Sequence, residues 1–264
     1  MDNFQIIQPS ALLSPYVKHY WFMTVNSEVP ASERVTPSGM MCLMFHRGER
    51  IFSSSENQWQ PRAFLSGQGV SYSDLTYRGC INMIAVEFRP QGAKAFFKLP
   101  MIELYEQTIA FDTLDDLQLV ELEKRLSDTS DPKMCIFHIE RFLEKRLYQL
   151  DAYNLKRINA VIKSIYLGEQ NIDMLAQTAC LGYKQFKRIF ADYIGANPKD
   201  YLRVVRFQKA LHTMNIQSDI SLTKLAYECG FYDQSHFIKE FKQFSGYTPT
   251  EYSAVCEPYS DFFS

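Results

Sequence analysis

Residues 221–252 read SLTKLAYECGFYDQSHFIKEFKQFSGYTPTEY, and their spacing decides what the C-terminal part of the chain is. Ser221 stands where a helix needs an N-cap, and Leu222, Leu225 and Ala226 follow at helical spacing. Glu228-Cys229-Gly230-Phe231 puts a glycine where the chain must turn sharply, and Asp233 is placed to cap the helix that follows. In that second helix Phe237, Phe241 and Phe244 share one side, and Gln234, Ser235, Lys239 and Lys242 share the other. Gly246 ends it. Thr248-Pro249, with Glu251 at capping-box spacing, starts a third helix.

Upstream the same grammar occurs a second time. Asn171-Ile172-Asp173-Met174-Leu175-Ala176 matches Ser221-Leu222-Thr223-Lys224-Leu225-Ala226 at an offset of 50. Phe186-Lys187-Arg188-Ile189-Phe190 matches Phe237-Ile238-Lys239-Glu240-Phe241, and Gly195-Ala196-Asn197-Pro198 matches Gly246-Tyr247-Thr248-Pro249, both at an offset of 51. The turn of the first unit reads Ala179-Cys180-Leu181-Gly182, with its glycine displaced toward the cap position. Phe186, Ile189, Phe190 and Tyr193 fall at i, i+3, i+4 and i+7, opposite Lys184, Gln185, Lys187 and Arg188.

A helix exposing Lys, Arg, Gln and Ser has the size and chemistry to enter a major groove. Arg and Lys donate to guanine O6 and N7, Gln pairs with adenine, and Ser reads either base. Solvated polar helix faces are common and mean little alone. Two such units joined by a Pro-started helix over 198–215 make a bipartite DNA clamp the better reading, because helical solenoids need three or more repeats to close a core. The helices expected in this region run over 154–166, 172–179, 183–194, 198–215, 222–229, 234–244 and 249–254.

Composition agrees with a soluble globular class: 264 residues, long enough for two domains, with 46% hydrophobic and 22% charged residues. The net charge of −2 hides an asymmetry. Residues 151–256 carry 13 Lys and Arg against 10 Asp and Glu, whereas residues 1–150 carry 15 against 18. A basic half facing an acidic partner is permitted by this and not required by it. No run approaches the roughly 20 apolar residues of a membrane span. Met1-Asp2-Asn3-Phe4 has no signal-peptide character, and the six scattered cysteines fit free thiols in a reducing, cytoplasmic setting.

The stretch over 221–252 resembles the signature of the AraC/XylS family of bacterial transcription regulators: Leu-Ala, then Gly-Phe, Asp-Gln-Ser, an aromatic, a basic residue, Phe-Lys, Gly and Pro-x-x-Tyr. The upstream unit resembles the family's first helix-turn-helix, including Arg188, Phe190, Gly195, Pro198, Tyr201, Arg206 and Ala210. It departs in having Cys180 where the family has Gly and Gly182 where it has Ser. The resemblance implies DNA contacts at Lys184, Lys187 and Arg188 in the first unit. In the second it implies contacts at Gln234, Ser235 and Lys239, with His236 near a phosphate. It further implies two recognition helices in successive major-groove segments of bent promoter DNA and, for an activator, RNA polymerase as a partner.

The N-terminal half has a different texture. Short β-type runs at 18–25, 40–46, 62–66 and 80–88 are separated by Thr36-Pro37-Ser38-Gly39, Arg47-Gly48-Glu49, Ser66-Gly67-Gln68-Gly69 and Arg78-Gly79, which suggests a sandwich or small barrel. Helices follow near 92–98, 113–127 and 132–149, the last with Ile136, Ile139, Phe142, Leu143 and Leu147 on one side. Glu33-Arg34, Pro37-x-Gly39, Phe64-Leu65-x-Gly67-Gln68 and Phe88-Arg89-Pro90 resemble a cupin-like domain found in some regulators of this family. That resemblance implies a small-molecule effector of unknown identity and a homodimer.

The whole reads as an α+β multidomain chain: a cupin-like effector domain over 1–130, a linker and dimerisation helix over 131–150, and a double helix-turn-helix domain over 151–256. Arg34 and Arg89 are weak candidates for an acidic effector, with loop bracing the stronger reading. The five histidines show no metal-ligand pairing, and no nucleophile motif, phosphate-cradling loop or carboxylate pair is present, so neither a metal, another cofactor nor an enzyme is expected. The alternative is a small-molecule-binding or catalytic cupin protein whose helical tail serves only assembly.

Overall fold

The computed structural model describes residues 3–148, 150–217 and 219–256. Met1 and Asp2 of the chain start, and Gln149 at the expected end of the helix over 132–149, lie outside them. The chain is an α+β multidomain protein, with an antiparallel sheet in its N-terminal half and helices alone after residue 150.

The strands are β1 (Asn3–Ile7), β2 (Val17–Val35), β3 (Cys42–His46), β4 (Phe52–Ser53), β5 (Gln58–Trp59), β6 (Ala63–Ser66), β7 (Ser73–Phe88) and β8 (Thr108–Ala110). They run in the order β1-β2-β7-β3-β6-β8, with the β4–β5 hairpin laid on β7. Because side chains alternate along a strand, Ile84, Val86 and Phe88 of β7 enter one core while Ile81 and Met83 enter a smaller cluster with Ile51 and Tyr77. The larger core is closed by α1 (Leu117–Ser127) and α2 (Pro132–Arg146), through Leu119, Leu122, Ile139, Phe142 and Leu143. The apolar stripe of α2, from which a dimer contact is expected, is thus covered by its own sheet.

The helical half comprises α3 (Ala152–Tyr166), α4 (Ile172–Thr178), α5 (Tyr183–Ile194), α6 (Pro198–Ile216), α7 (Leu222–Glu228), α8 (Gln234–Ser245) and α9 (Pro249–Val255). Local chemistry sets their starts. Asn171, Asn197, Ser221 and Asp233 each accept a backbone N–H at an N-cap, and Thr248 with Glu251 forms a complete capping box. Gly195 and Gly246 end α5 and α8 in the left-handed region, at φ 81° and 76°. The 19-residue α6 is shared by two cores. Tyr201, Leu202 and Val205 pack with Phe186 and Phe190 of the first unit, and Val204, Phe207 and Leu211 pack with Phe237, Phe241 and Phe244 of the second.

Two expectations change. The run over 92–98 forms only a 3-10 turn over Ala93–Ala95, where a Cβ on Gly92 would lie 1.8 Å from the Tyr16 carbonyl oxygen. Strands β2 and β7 extend far beyond 18–25 and 80–88 as a long paired arm, on whose β7 side the β4–β5 hairpin sits.

The two turns differ in strain. Gly230 sits at φ 82°, and Cys180, at the matching place in the first unit, sits at φ 51°. A side chain in this region costs about 1–2 kcal/mol, partly offset by the greater freedom glycine gains in the unfolded chain. Cys180→Gly is expected to raise the thermal midpoint, by about 0.5–1 kcal/mol of added stability. Phe241, 1% exposed and ringed by Phe207, Phe237 and Tyr252, gives the opposite case. Phe241→Ala should cost about 3–5 kcal/mol in the same melts.

Candidate nucleic-acid interface

Helix α5 buries Phe186, Ile189, Phe190 and Tyr193 and exposes Tyr183, Lys184, Gln185, Lys187 and Arg188. None of Lys184, Lys187 and Arg188 enters a salt bridge among the described residues; the Lys187 ammonium lies 5.5 Å from the Tyr183 ring centre. Helix α8 buries Phe237, Phe241 and Phe244 and exposes Ser235, Lys239 and Lys242. On this surface, cations held by no carboxylate are available to a polyanion.

Gln234 is half-buried at the start of α8, and its Oε1 accepts from the Thr223 hydroxyl of α7 at 2.7 Å. That bond occupies the carbonyl end of the amide and fixes its NH2 group as the donor end. His236 is also half-buried. It lies edge-on to Phe231, with its Nε2 3.7 Å from Glu240, and so stands at the rim of the surface.

Behind the surface lies a charge that the apolar pattern conceals. Glu240 falls on the buried side of α8 with Phe237, Phe241 and Phe244, at the place Ile189 holds in α5. It accepts from Arg203 Nε at 2.5 Å and from Arg206 Nη2 at 3.1 Å, both on α6. Burial pushes its carboxyl up, but the Arg203 hydrogen bond and the Arg206 charge outweigh that and hold it below its ordinary value. Arg206 also reaches Gln170, whose Nε2 donates to the Cys229 carbonyl in the turn of the second unit. These polar groups tie α6, α8, the turn of the second unit and the α3–α4 connection into one body. Sequence spacing alone could have found Glu240, since an acid at i+3 of an apolar stripe needs a buried partner.

Arg34 and Arg89, the weak effector candidates, both brace backbone. Arg89 Nε donates to the Ser14 carbonyl at 2.8 Å. Arg34 forms a two-pronged pair with Asp74, at 2.6 and 2.8 Å, and stacks between the rings of Tyr72 and Tyr247. Among the described residues no group of three or more His, Cys, Asp or Glu side chains could hold a metal, and no helix is long and apolar enough to cross a membrane.

Comparison with known proteins bears on this surface directly. Residues 175–254, the span of both units, match a family described as a helix-turn-helix domain. The C-terminal half is an AraC/XylS-type double helix-turn-helix domain. Residues 5–110 match a domain of unknown function (DUF6597). The chain is similar to an uncharacterised HTH-type transcriptional regulator of Haemophilus influenzae, 30% identical over 135 residues, covering 49% of this chain and 45% of the relative. It is also similar to the HTH-type transcriptional activator RhaS of Escherichia coli O139:H28, 28% identical over 135 residues, covering 50% of this chain and 48% of the relative. The chain spans about half the length of these relatives. Among solved structures, ToxT of Vibrio cholerae aligns over 94% of this chain and 97% of its own, at 10% identity and a TM-score of 0.47.

The Glu240 pair generates a prediction. A carboxyl whose folded pKa lies below its ordinary 4.5 stabilises fully above pH 4.5 and loses that contribution as pH falls through the folded value. Glu240→Gln should therefore lower the melting temperature at neutral pH and flatten its decline below pH 4.5, with a cost of about 2–3 kcal/mol at pH 7 because two guanidinium groups lose their anion. Melts across an acid-to-neutral series read both effects.

Proposed function

We propose that the protein is a sequence-specific DNA-binding transcription regulator controlled by a small-molecule effector on its N-terminal domain. The observation that carries this reading is the repeated recognition face: two α-helices at matching places in two units, each apolar inward and polar outward. The AraC-type domain and the names of its relatives support it. In this reading Lys184, Lys187 and Arg188 of α5 and Gln234, Ser235 and Lys239 of α8 meet promoter DNA, with His236 at a phosphate on the rim. RNA polymerase is a partner if the protein activates, and the protein works in the bacterial cytoplasm. A homodimer has to use a surface other than the covered stripe of α2. A catalytic cupin with an inert helical tail is the weaker account, because an inert tail has no need of two unpaired polar faces.

Division of labour among the contacts is testable on duplexes enriched from a random-sequence library by the purified protein. If Arg188 and Gln234 read base edges, Arg188→Ala and Gln234→Ala each cost about 1–3 kcal/mol on the enriched sequence and much less on random duplex. Thr223→Val, which frees the Gln234 amide to rotate, should weaken the enriched site in the same direction by a smaller amount. Salt-controlled titrations give the answer, since phosphate neutralisation dominates the random-duplex term. Equal losses on both duplexes would make these residues backbone contacts, and no loss on either would end the recognition-helix assignment.

A further inference from the structure

The two units touch the N-terminal domain at the same place in the repeat, the glycine corner that ends each recognition helix. At Gly246 the Arg34 guanidinium comes so close that a Cβ would lie 2.2 Å from Nη1. That Nη1 donates to the Ser245 carbonyl at 3.2 Å, and the guanidinium carbon lies 4.1 Å from the Tyr72 ring centre and 4.5 Å from that of Tyr247. At Gly195 a Cβ would lie 2.1 Å from Met41 Cε and 2.9 Å from the Met101 carbonyl oxygen. One turn back on α5, Asp192 pairs with Lys94 at 2.8 Å, and beyond the corner Asp200 accepts from the Tyr105 hydroxyl at 3.0 Å. Between the corners, the buried Gln208 of α6 donates to the Pro37 carbonyl at 2.7 Å.

Segment 34–41 therefore reaches the second unit through Arg34, the joining helix through Pro37, and the first unit through Met40 and Met41. Its ends are fixed by the sheet, because β2 and β3 both pair with β7. These contacts fall on α6 and on the ends of the recognition helices. The faces bearing Lys184, Lys187, Arg188, Ser235 and Lys239 stay exposed. An N-terminal domain placed to block DNA would cover those faces. This one grips both helices and leaves them clear.

We infer that the N-terminal domain is a ruler for the two recognition helices, with Arg34 seating the second unit and Lys94 the first. The spacing between half-sites that the protein accepts is then set by this clamp as well as by α6. Arg34 and Lys94 are positioning residues in this scheme and touch no DNA. The inference rests on the DNA-binding reading above and adds to it the source of spacing selectivity.

The experiment uses the full chain and the half-sites enriched from the random duplex library. A duplex series moves the half-sites apart or together in single-base-pair steps, each of which rotates one site by about 34–36° relative to the other. The wild-type protein should favour one spacing and lose about tenfold or more in affinity per step from it, within the range a poorly matched base pair costs. Arg34→Ala and Lys94→Glu should each reduce that loss to about threefold or less, with affinity for a duplex carrying one half-site unchanged. Adding Asp192→Lys to Lys94→Glu restores the opposite charges and should restore the steep profile, which a general loss of stability would not do. Single variants that keep the wild-type profile on an enriched site overturn the ruler and leave the DNA-binding reading standing. A library that enriches no sequence removes both.

Discussion

Everything in the helical half depends on α6 being buried twice. A helix normally turns one apolar stripe to one core, but α6 turns Tyr201, Leu202 and Val205 to the first and Val204, Phe207 and Leu211 to the second. The stacking is specific on both sides. Phe190 meets Tyr201 edge-on at 5.5 Å, and Phe207 meets Phe241 at 5.1 Å. A 19-residue helix is about 28 Å long, of the same order as the roughly 34 Å pitch of B-DNA. A rigid member of that length suits two units that, on the proposed reading, address one face of a duplex.

The helical half was legible in the sequence because its information is local. Caps, Pro at first helical positions and Gly stops mark most of its boundaries, and α5 begins and ends where its spacing predicts. The sheet was legible only where alternation is strong. The arm of β2 beyond Asn26 reads Ser27-Glu28-Val29-Pro30-Ala31-Ser32-Glu33, with no apolar face to signal a strand, and β1 exposes Phe4 and Ile6. Cross-strand pairing holds these segments, and that comes from a partner far away in the chain. The docking contacts were hidden for the same reason: Arg34 and Ser245 lie 211 positions apart. Arg34 showed in the sequence as a residue of interest, while its partners did not.

The two units have also diverged in ways that the repeat makes readable. Where α5 seats Ile189 in its core, α8 seats Glu240 and requires two arginines from α6 to hold it. Removing one partner of such a pair is far more costly than never having had it, because the remaining charge stays partly buried. Conversely, the first unit carries the strained turn at Cys180 and a Gly182 cap with no side-chain bond, where the second has Gly230 and Asp233. The second unit therefore has the better local turn and cap and depends more on α6. The first has the poorer turn and leans on the N-terminal domain at Met41, Met101 and Lys94.

On the proposed reading, this asymmetry bears on how an effector in the N-terminal domain would act. A ligand shifts an equilibrium only by its differential affinity for the two states. Under the proposed function, those states would have to differ at the two recognition helices. The recognition faces are not covered, so uncovering them is no available difference. What the N-terminal domain does touch is the glycine corner of each unit and α6, through segment 34–41 and, toward the first unit, through Lys94, Met101 and Tyr105. Glycine adds no side chain at either corner, so Met41 and Arg34 rest directly against the ends of the two helices. A change that moves segment 34–41 bears on both corners at once, since Met41 meets one and Arg34 the other. Packed cores switch between discrete arrangements instead of deforming smoothly, so that movement re-seats two helices at once. Control of the angle and distance between two exposed helices is thus the form of regulation that this architecture permits.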